Sequence, residues 1–277
     1  MFLKLFKHDW KSLSRWLVPV LIGIFGAAAL GFVNALVLGS SARLHTTPSQ
    51  NVVIITSFSG TALVAMALAA AMTVVIVLIF VKFYKSMVTD EAYLTFTLPV
   101  SAGKLIGAKF LSGALWTLIG AIAVFAAWMI ILSGMLITAD SDLRTDLTGI
   151  AGDVASAAFQ NPAFTFSLLA YAVTGAVRSW FQITCAILFG ASVVRKNKAL
   201  MAVGMVLLVN FAVNLVLSIC GISGMFALAM NAGYGMMEPG GPDFSTTMWI
   251  QSAVNAVLAA VFWWWSVRIA KNSVNIE

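Results

Sequence analysis

The chain has 277 residues, of which 61% are hydrophobic and 9% are charged, and its formal net charge is +6. Soluble domains carry about 25% charged residues, so this composition excludes a soluble enzyme or a soluble binding domain. Several uncharged runs exceed the roughly 20 residues that a helix needs to cross the hydrocarbon core of a membrane. The sequence therefore predicts an all-α integral membrane protein.

The first segment, residues 1–16, is predicted to form an amphipathic helix in the membrane interface. Phe2, Phe6 and Trp10 recur at helical spacing, and basic residues occupy the opposite face. A basic flank of the first span would have the same composition, so both interpretations stay open. The apolar run at 17–38 exceeds the roughly 7–15 residues of a signal-peptide core and is predicted to be the first transmembrane helix.

Further apolar runs predict five more transmembrane helices. Their predicted bounds are residues 56–81, 105–137, 170–194, 199–220 and 248–267. An acidic, exposed outer loop is predicted at 138–162. The glycine-rich stretch at 221–242 is too broken for a span and too apolar for an ordinary loop, so we predict an outer re-entrant hairpin there.

The basic residues define the predicted topology. With six spans and the N-terminus inside, 13 of the 16 Lys and Arg residues lie in cytoplasmic segments or at cytoplasmic helix ends. Arg43 and Arg144 lie outside, and Arg178 lies within the fourth span. This positive-inside bias places both termini in the cytoplasm. The net charge is thus explained by topology and does not indicate nucleic-acid binding.

The sequence offers no site for catalysis or for a cofactor. His8 and His45 have no second ligand at metal-binding spacing, so no metal site is predicted. A phosphate-binding loop ending at Gly103 and Lys104 would need glycine where Leu98 stands. We therefore expect no enzymatic activity, no metal and no bound nucleotide in this chain.

The predicted cytoplasmic segment 82–104 reads KFYKSMVTDEAYLTFTLPVSAGK and mixes charges with large apolar side chains. A solvated loop does not need so many large apolar residues. One interpretation is an interfacial helix on the lipid surface. The other is a docking element whose aromatic side chains enter a pocket on a soluble partner.

This segment resembles the signature of bacterial ABC-2 type permeases, which lies between their second and third spans. The resemblance is carried by Phe83, Tyr84, Lys85, Asp90, Glu91, Tyr93, Leu94, Phe96, Thr97, Leu98, Pro99 and Val100. The six spans, the interfacial helix and the broken segment before the last span extend it over essentially the whole chain. Ala92 stands where relatives often have glycine. The resemblance implies that this region is a coupling helix in a groove of a separate ATPase subunit.

The same resemblance implies a bacterial exporter in the cytoplasmic membrane, surrounded by membrane lipids. Its partners would be two copies of an ABC ATPase, which bind ATP and Mg, and a second permease subunit that is the same or a homologous chain. The implied cargo is hydrophobic or peptide-like, with an antimicrobial peptide first and a lipid or drug next. From the residues alone, an ATP-independent transporter or channel and a non-transporting membrane scaffold remain alternatives.

Polar side chains within the fourth and fifth spans are candidates for a substrate pathway. They are Thr174, Arg178 and Gln182 in one span and Asn210, Asn214 and Ser218 in the other, each set at i, i+4 spacing. Interhelical hydrogen bonding is the alternative role for the amides. For Arg178, a pathway role and an anchoring role near the headgroups both stay open.

Overall fold

The computed structural model describes residues 2–41, 48–89, 101–138, 141–160, 162–193, 197–219 and 244–272. Within them we number seven helices: α1 Phe2–Ser41, α2 Pro48–Val88, α3 Ala102–Thr138, α4 Ser141–Gln160, α5 Pro162–Val193, α6 Lys198–Ile219 and α7 Phe244–Asn272. All except α4 contain a stretch that is long and apolar enough to cross a membrane. The predicted helical fold with six candidate spans is thus confirmed, and the chain is a multi-pass membrane protein.

The first helix differs from its prediction in being continuous. A separate interfacial helix ending near residue 16 was expected, whereas α1 runs from Phe2 to Ser41 without a break. It passes through Pro19, which has no backbone N–H to donate to the Arg15 carbonyl. The apolar side of its first turns packs within the protein, because Leu13 and Leu17 are buried. The first turns are therefore continuous with the first span as one helix.

The acidic segment predicted as an outer loop at 138–162 contains α4. Arg144, near the start of α4, donates hydrogen bonds from Nε and Nη2 to the Leu136 carbonyl oxygen, at 3.2 and 2.9 Å. That carbonyl lies in the last turn of α3, where the helix leaves carbonyl groups without intrahelical partners. The segment predicted as a loop is thus helical from Ser141 to Gln160, and its position on the outer side stays a prediction. The predicted hairpin at 221–242 lies outside the described residues.

The chain divides into two compact units. The first comprises Met1–Phe83 and Lys104–Asp153, and the second comprises Tyr84–Gly103 and Val154–Glu277. The first unit therefore contains all of α1 and most of α2 and α3. The second contains α5, α6 and α7, together with the residues that connect α2 to α3.

Small residues bring the helices of the first unit into close contact. Its core consists of Ile24, Ala28, Ala35, Leu68, Ala123, Ala127 and Ile131. A Cβ added at Gly134 on α3 would lie 2.9 Å from the carbonyl oxygen of Phe32 on α1. A Cβ added at Gly31 would lie 2.8 Å from Ile131. Such close approach at small residues is typical of helix packing in membranes, where van der Waals contact drives association.

An ion pair and an aromatic stack join α1 to α3 near their basic ends. Lys109 Nζ lies 3.4 Å from Asp9 Oδ1, and both side chains are largely buried. The rings of Trp10 and Trp116 stack with centroids 4.8 Å apart. These contacts explain why the first turns of α1 pack on protein.

In the second unit, α5 packs against both α6 and α7. Asn197 precedes α6 with φ of 59°, a left-handed conformation that asparagine tolerates better than most residues. Its carbonyl accepts a hydrogen bond from the Met201 amide at 3.2 Å. Gly190 then allows α6 to approach α5 closely, since an added Cβ would lie 2.8 Å from the Met201 carbonyl oxygen. Within α6, all of whose residues are described, only Ala202 is buried.

Candidate functional site

Three of the residues that carry the resemblance lie on the last turns of α2. The helix continues past the predicted end of the span at residue 81, so Phe83, Tyr84 and Lys85 are helical. Phe83 is buried, Tyr84 is half-buried and Lys85 is exposed. The hydroxyl of Thr89 donates to the Lys85 carbonyl at the end of the helix. A lysine in the last turn is favourable there because it faces the negative end of the helix dipole.

The other predicted coupling residues lie outside the described part of the chain. They are Asp90, Glu91, Tyr93, Leu94, Phe96, Thr97, Leu98 and Pro99. Their docking role therefore stays a prediction. The described helices fix the length of the connection, because α2 ends at Val88 and α3 begins at Ala102. The stretch between these two candidate spans is thus residues 89–101.

The polar sets predicted on the fourth and fifth spans meet each other. Gln182 Nε2 on α5 donates to Asn210 Oδ1 on α6 at 3.3 Å. Asn214 Nδ2 donates to the same Oδ1 and to the Asn210 carbonyl oxygen, both at 2.9 Å. The three amides thus form a row that links α5 to α6. Ser218 is exposed near the end of α6.

The last helix supplies polar residues that the sequence reasoning missed. Gln251, Ser252 and Asn255 of α7 are all buried. The hydroxyl oxygens of Ser252 and Thr174 lie 3.2 Å apart and share a hydrogen bond. The sequence does indicate them, because Gln251 and Asn255 are amides at i, i+4 spacing within an apolar run. The amides of α6 that the sequence analysis singled out have the same spacing.

Arg178 opens onto a cavity of about 370 Å³ formed by α5, α6 and α7. The polar residues that line it are Tyr171, Arg178, Ser179, Asn214, Gln251 and Asn255. The remaining lining consists of Ala172, Gly175, Leu217 and Val254. Arg178 Nε is buried and has no hydrogen-bond partner among the residues that the structure describes. The cavity therefore combines a cation with amide and hydroxyl groups from three helices.

A second cavity of about 290 Å³ lies between α5 and α7 and differs in chemistry. It is lined by Val173, Thr174, Val177, Phe181, Ala256, Ala259, Ala260 and Trp263. Thr174 is the one hydroxyl in that lining, and its oxygen is engaged by Ser252 and by the carbonyl oxygens of its own helix. This cavity carries no charge.

Comparisons with protein-family models, with curated proteins and with solved structures give no match. Within the described ranges, no group of three His, Cys, Asp or Glu side chains is placed to hold a metal ion. The fold and the site thus define a multi-pass helical membrane protein. Three of its helices form a polar cavity, and the Arg178 guanidinium lies in its lining.

Proposed function

We propose that the chain is the membrane-spanning permease subunit of an ATP-driven exporter of the ABC-2 type. The observation that carries this proposal is the run at 83–100, in which an aromatic pair, two acidic residues and further aromatics precede Pro99. Six candidate spans give it support at the level of architecture. A separate ABC ATPase, present in two copies, would bind ATP with Mg. A second permease subunit, the same or a homologous chain, would complete the pathway, since six spans line only one side.

The same proposal includes a placement in the bacterial cytoplasmic membrane. Both termini lie in the cytoplasm, as the distribution of basic residues favours. Residues 1–16 lie in the inner interface, and the exposure of Lys4, Lys7, Lys11 and Arg15 supports this position. The segment 138–162 lies on the outer side, and residues 221–242 form a re-entrant hairpin there.

Coupling depends on the segment 82–104 in this proposal, with Phe83, Tyr84 and Lys85 at its helical start. Tyr93, Leu94 and Phe96 insert into a pocket of the ATPase, and Asp90 and Glu91 border the contact. Apolar anchors surrounded by charge are typical of specific, water-exposed interfaces. Because α2 is helical up to Val88 and α3 from Ala102, movement of the connection is transmitted directly to two candidate spans.

The cargo in this proposal is hydrophobic or peptide-like. An antimicrobial peptide is the first candidate, and a lipid or drug comes next. The polar residues of α5 and α6 support a pathway along these helices, because the row formed by Gln182, Asn210 and Asn214 offers amide groups within otherwise apolar spans. Thr174, Arg178 and Ser218 belong to the same proposed pathway.

The decisive experiment replaces Leu94 and Phe96 together by alanine. Truncation of an interface anchor typically costs about 2 kcal/mol or more, so the pair should weaken binding of the ATPase by at least a few hundred-fold. The wild type is first purified from its native host in a gentle detergent, and a stoichiometric ATPase partner is identified. Binding of that ATPase and ATP hydrolysis coupled to transport are then compared between the wild type and the double variant.

A matched control replaces Phe166 and Leu169, an exposed Phe and Leu pair on α5. This double variant loses the same side chains from a surface that faces lipid in the proposal, so it should retain the ATPase. All samples are compared at equal amounts of monodisperse protein. Equal recovery of the ATPase by the Leu94 and Phe96 variant would remove the docking role. The absence of any ATPase partner in the native host would instead favour an ATP-independent transporter, a channel or a scaffold.

A further inference from the structure

The cavity at Arg178 carries a positive charge that its own helices do not neutralise. Arg178 is the only charged residue of α5, and α5, α6 and α7 contain no Asp or Glu. An arginine at depth in a membrane is costly and is ordinarily paired. Its Nε is buried without a hydrogen-bond partner in the described part of the chain. The guanidinium therefore retains a capacity to bind an anion.

Polar groups line this cavity from all three helices. Gln251 and Asn255 reach it from α7. Ser179 on α5 and Asn214 on α6 border it, and they donate their hydrogens to Gly175 and Asn210 of their own helices. Gly175 keeps the space open, since a Cβ there would lie 3.7 Å from Asn255 Nδ2. A planar guanidinium presents paired donors that match the oxygens of a phosphate or a carboxylate.

The size and surroundings of the cavity indicate that the anion is attached to an apolar body. About 370 Å³ falls within the roughly 300–1,000 Å³ of small-molecule sites, and it exceeds what a single water molecule needs. Leu217 and Val254 complete the lining. On the same side of α6 as Asn214, three and seven residues earlier, Phe211 and Leu207 are exposed. An apolar chain that leaves the cavity along α6 would find these side chains beside it.

The cavity is close to the end of α6 and to the start of α7, whereas Arg178 lies 16 residues after the start of the longer α5. Asn214 lies five residues before the end of α6 and Gln251 seven residues after the start of α7. At about 1.5 Å per residue, these positions are roughly 7.5 and 10 Å from the helix ends. A headgroup in the adjacent membrane interface would therefore reach the cavity by a short insertion, while its chain remained in the hydrocarbon.

We propose that this cavity is a binding site for the anionic group of an amphiphile, a phosphate or a carboxylate carried on an apolar chain. Arg178 supplies the charge, and Gln251 and Asn255 supply neutral polar contacts. The site stands on the geometry of α5, α6 and α7 and does not depend on an ATPase. A negative result in the ATPase experiment would therefore leave it unaffected.

The test measures lipid binding to the purified, delipidated full-length chain by native mass spectrometry. Dioleoyl phosphatidylglycerol is compared with dioleoylglycerol, which has the same chains and no phosphate. Hydrogen bonds to charged groups contribute enough for about a tenfold or larger preference, so the wild type should favour phosphatidylglycerol by at least that factor. Arg178→Gln should abolish the preference. If Arg178→Gln retained it, the proposal would be overturned.

Two further variants separate the site from general charge effects. Arg268→Gln removes the same charge near the other end of α7, where the guanidinium stacks 5.3 Å from the Trp264 ring centroid. It should keep the preference, and an equal loss in this variant would overturn the proposal. Gly175→Leu leaves Arg178 in place and fills the cavity, so it should weaken binding of phosphatidylglycerol. Full binding by a monodisperse Gly175→Leu variant would also refute the assignment to this cavity.

Competition identifies the source of the anion. Inorganic phosphate and palmitate are each added to the complex with phosphatidylglycerol. Displacement by palmitate and not by inorganic phosphate supports an amphiphile site that accepts either anionic group. Resistance to both supports a site for the lipid phosphate. Displacement by inorganic phosphate alone would contradict the apolar part of the proposal, because the free ion would then suffice.

Discussion

Replacement of Gly190 by alanine should separate α6 from α5. The added Cβ would lie 2.8 Å from the Met201 carbonyl oxygen and 2.9 and 3.0 Å from the Ala202 Cα and N atoms. All three neighbours are backbone atoms, so no change of side-chain rotamer can relieve the contact. To reach an ordinary contact distance of 3.4 Å, the helices must move apart locally by about 0.6 Å.

The expected change in the free energy of unfolding combines two destabilising contributions and one stabilising contribution. Overpacking of a close contact costs about 1–3 kcal/mol. Separation of the helices also weakens the Gln182–Asn210 hydrogen bond, and such interhelical bonds contribute about 0.6 kcal/mol in membranes. The greater helix propensity of alanine offsets about 1 kcal/mol of this cost. We therefore expect a net destabilisation of about 1–2 kcal/mol.

The assay uses Cys185, a buried thiol on α5, as an internal reporter of unfolding. In a Cys220→Ser background, a thiol-reactive fluorophore records the midpoint of thermal unfolding in detergent. At about 2–4 °C per kcal/mol for a chain of this order of size, Gly190→Ala should lower the midpoint by about 2–8 °C. The matched control is Gly204→Ala on α6, whose added Cβ would meet nothing within 4 Å. Equal midpoints for the two variants would refute the reasoning.

Two further predictions concern α1 and the topology. A single charge reversal, Asp9→Lys or Lys109→Asp, should lower the thermal midpoint because it places like charges together, and the double reversal should recover part of the loss. Failure of the double reversal to recover any stability would contradict the ion pair. In a cysteine-free background, Ser40→Cys should react with a membrane-impermeant maleimide on intact cells, and Lys85→Cys should react only after permeabilisation. The reverse pattern would contradict the predicted topology.

The number of spans could be predicted because hydrophobic runs must match the thickness of the membrane. The ends of the helices could not, because the backbone remains helical beyond the apolar run. Lys82 and Lys85 marked a boundary in the sequence, yet α2 continues to Val88 since its backbone groups are still satisfied within the helix. In α4, apolar residues at 143, 147, 150 and 154 follow helical spacing, but the polar composition around them concealed this pattern.

The candidate site shows the same division between local and long-range information. Spacing at i, i+4 identified the amides of α5 and α6 that meet in the structure. The same spacing relates Gln251 and Asn255, which line the Arg178 cavity from α7. No periodicity could reveal that Gly175 faces Asn255 or that Gly190 faces Met201, because these contacts depend on which helices pair and at what height. A cavity exists only after such pairing is known.

The close approach of α6 to α5 at Gly190 has a mechanical consequence. The one buried residue of α6, Ala202, lies near the start of the helix, and Ile219 lies 17 residues further along. At about 1.5 Å per residue this part of α6 is about 26 Å long, so a tilt of about 10° around Gly190 would stretch the Gln182–Asn210 hydrogen bond and displace the far end by about 4.5 Å. Asn214 and Leu217 lie on this part of α6, and they form one wall of the Arg178 cavity. A small rotation near residue 190 is therefore amplified into a change in width around the guanidinium.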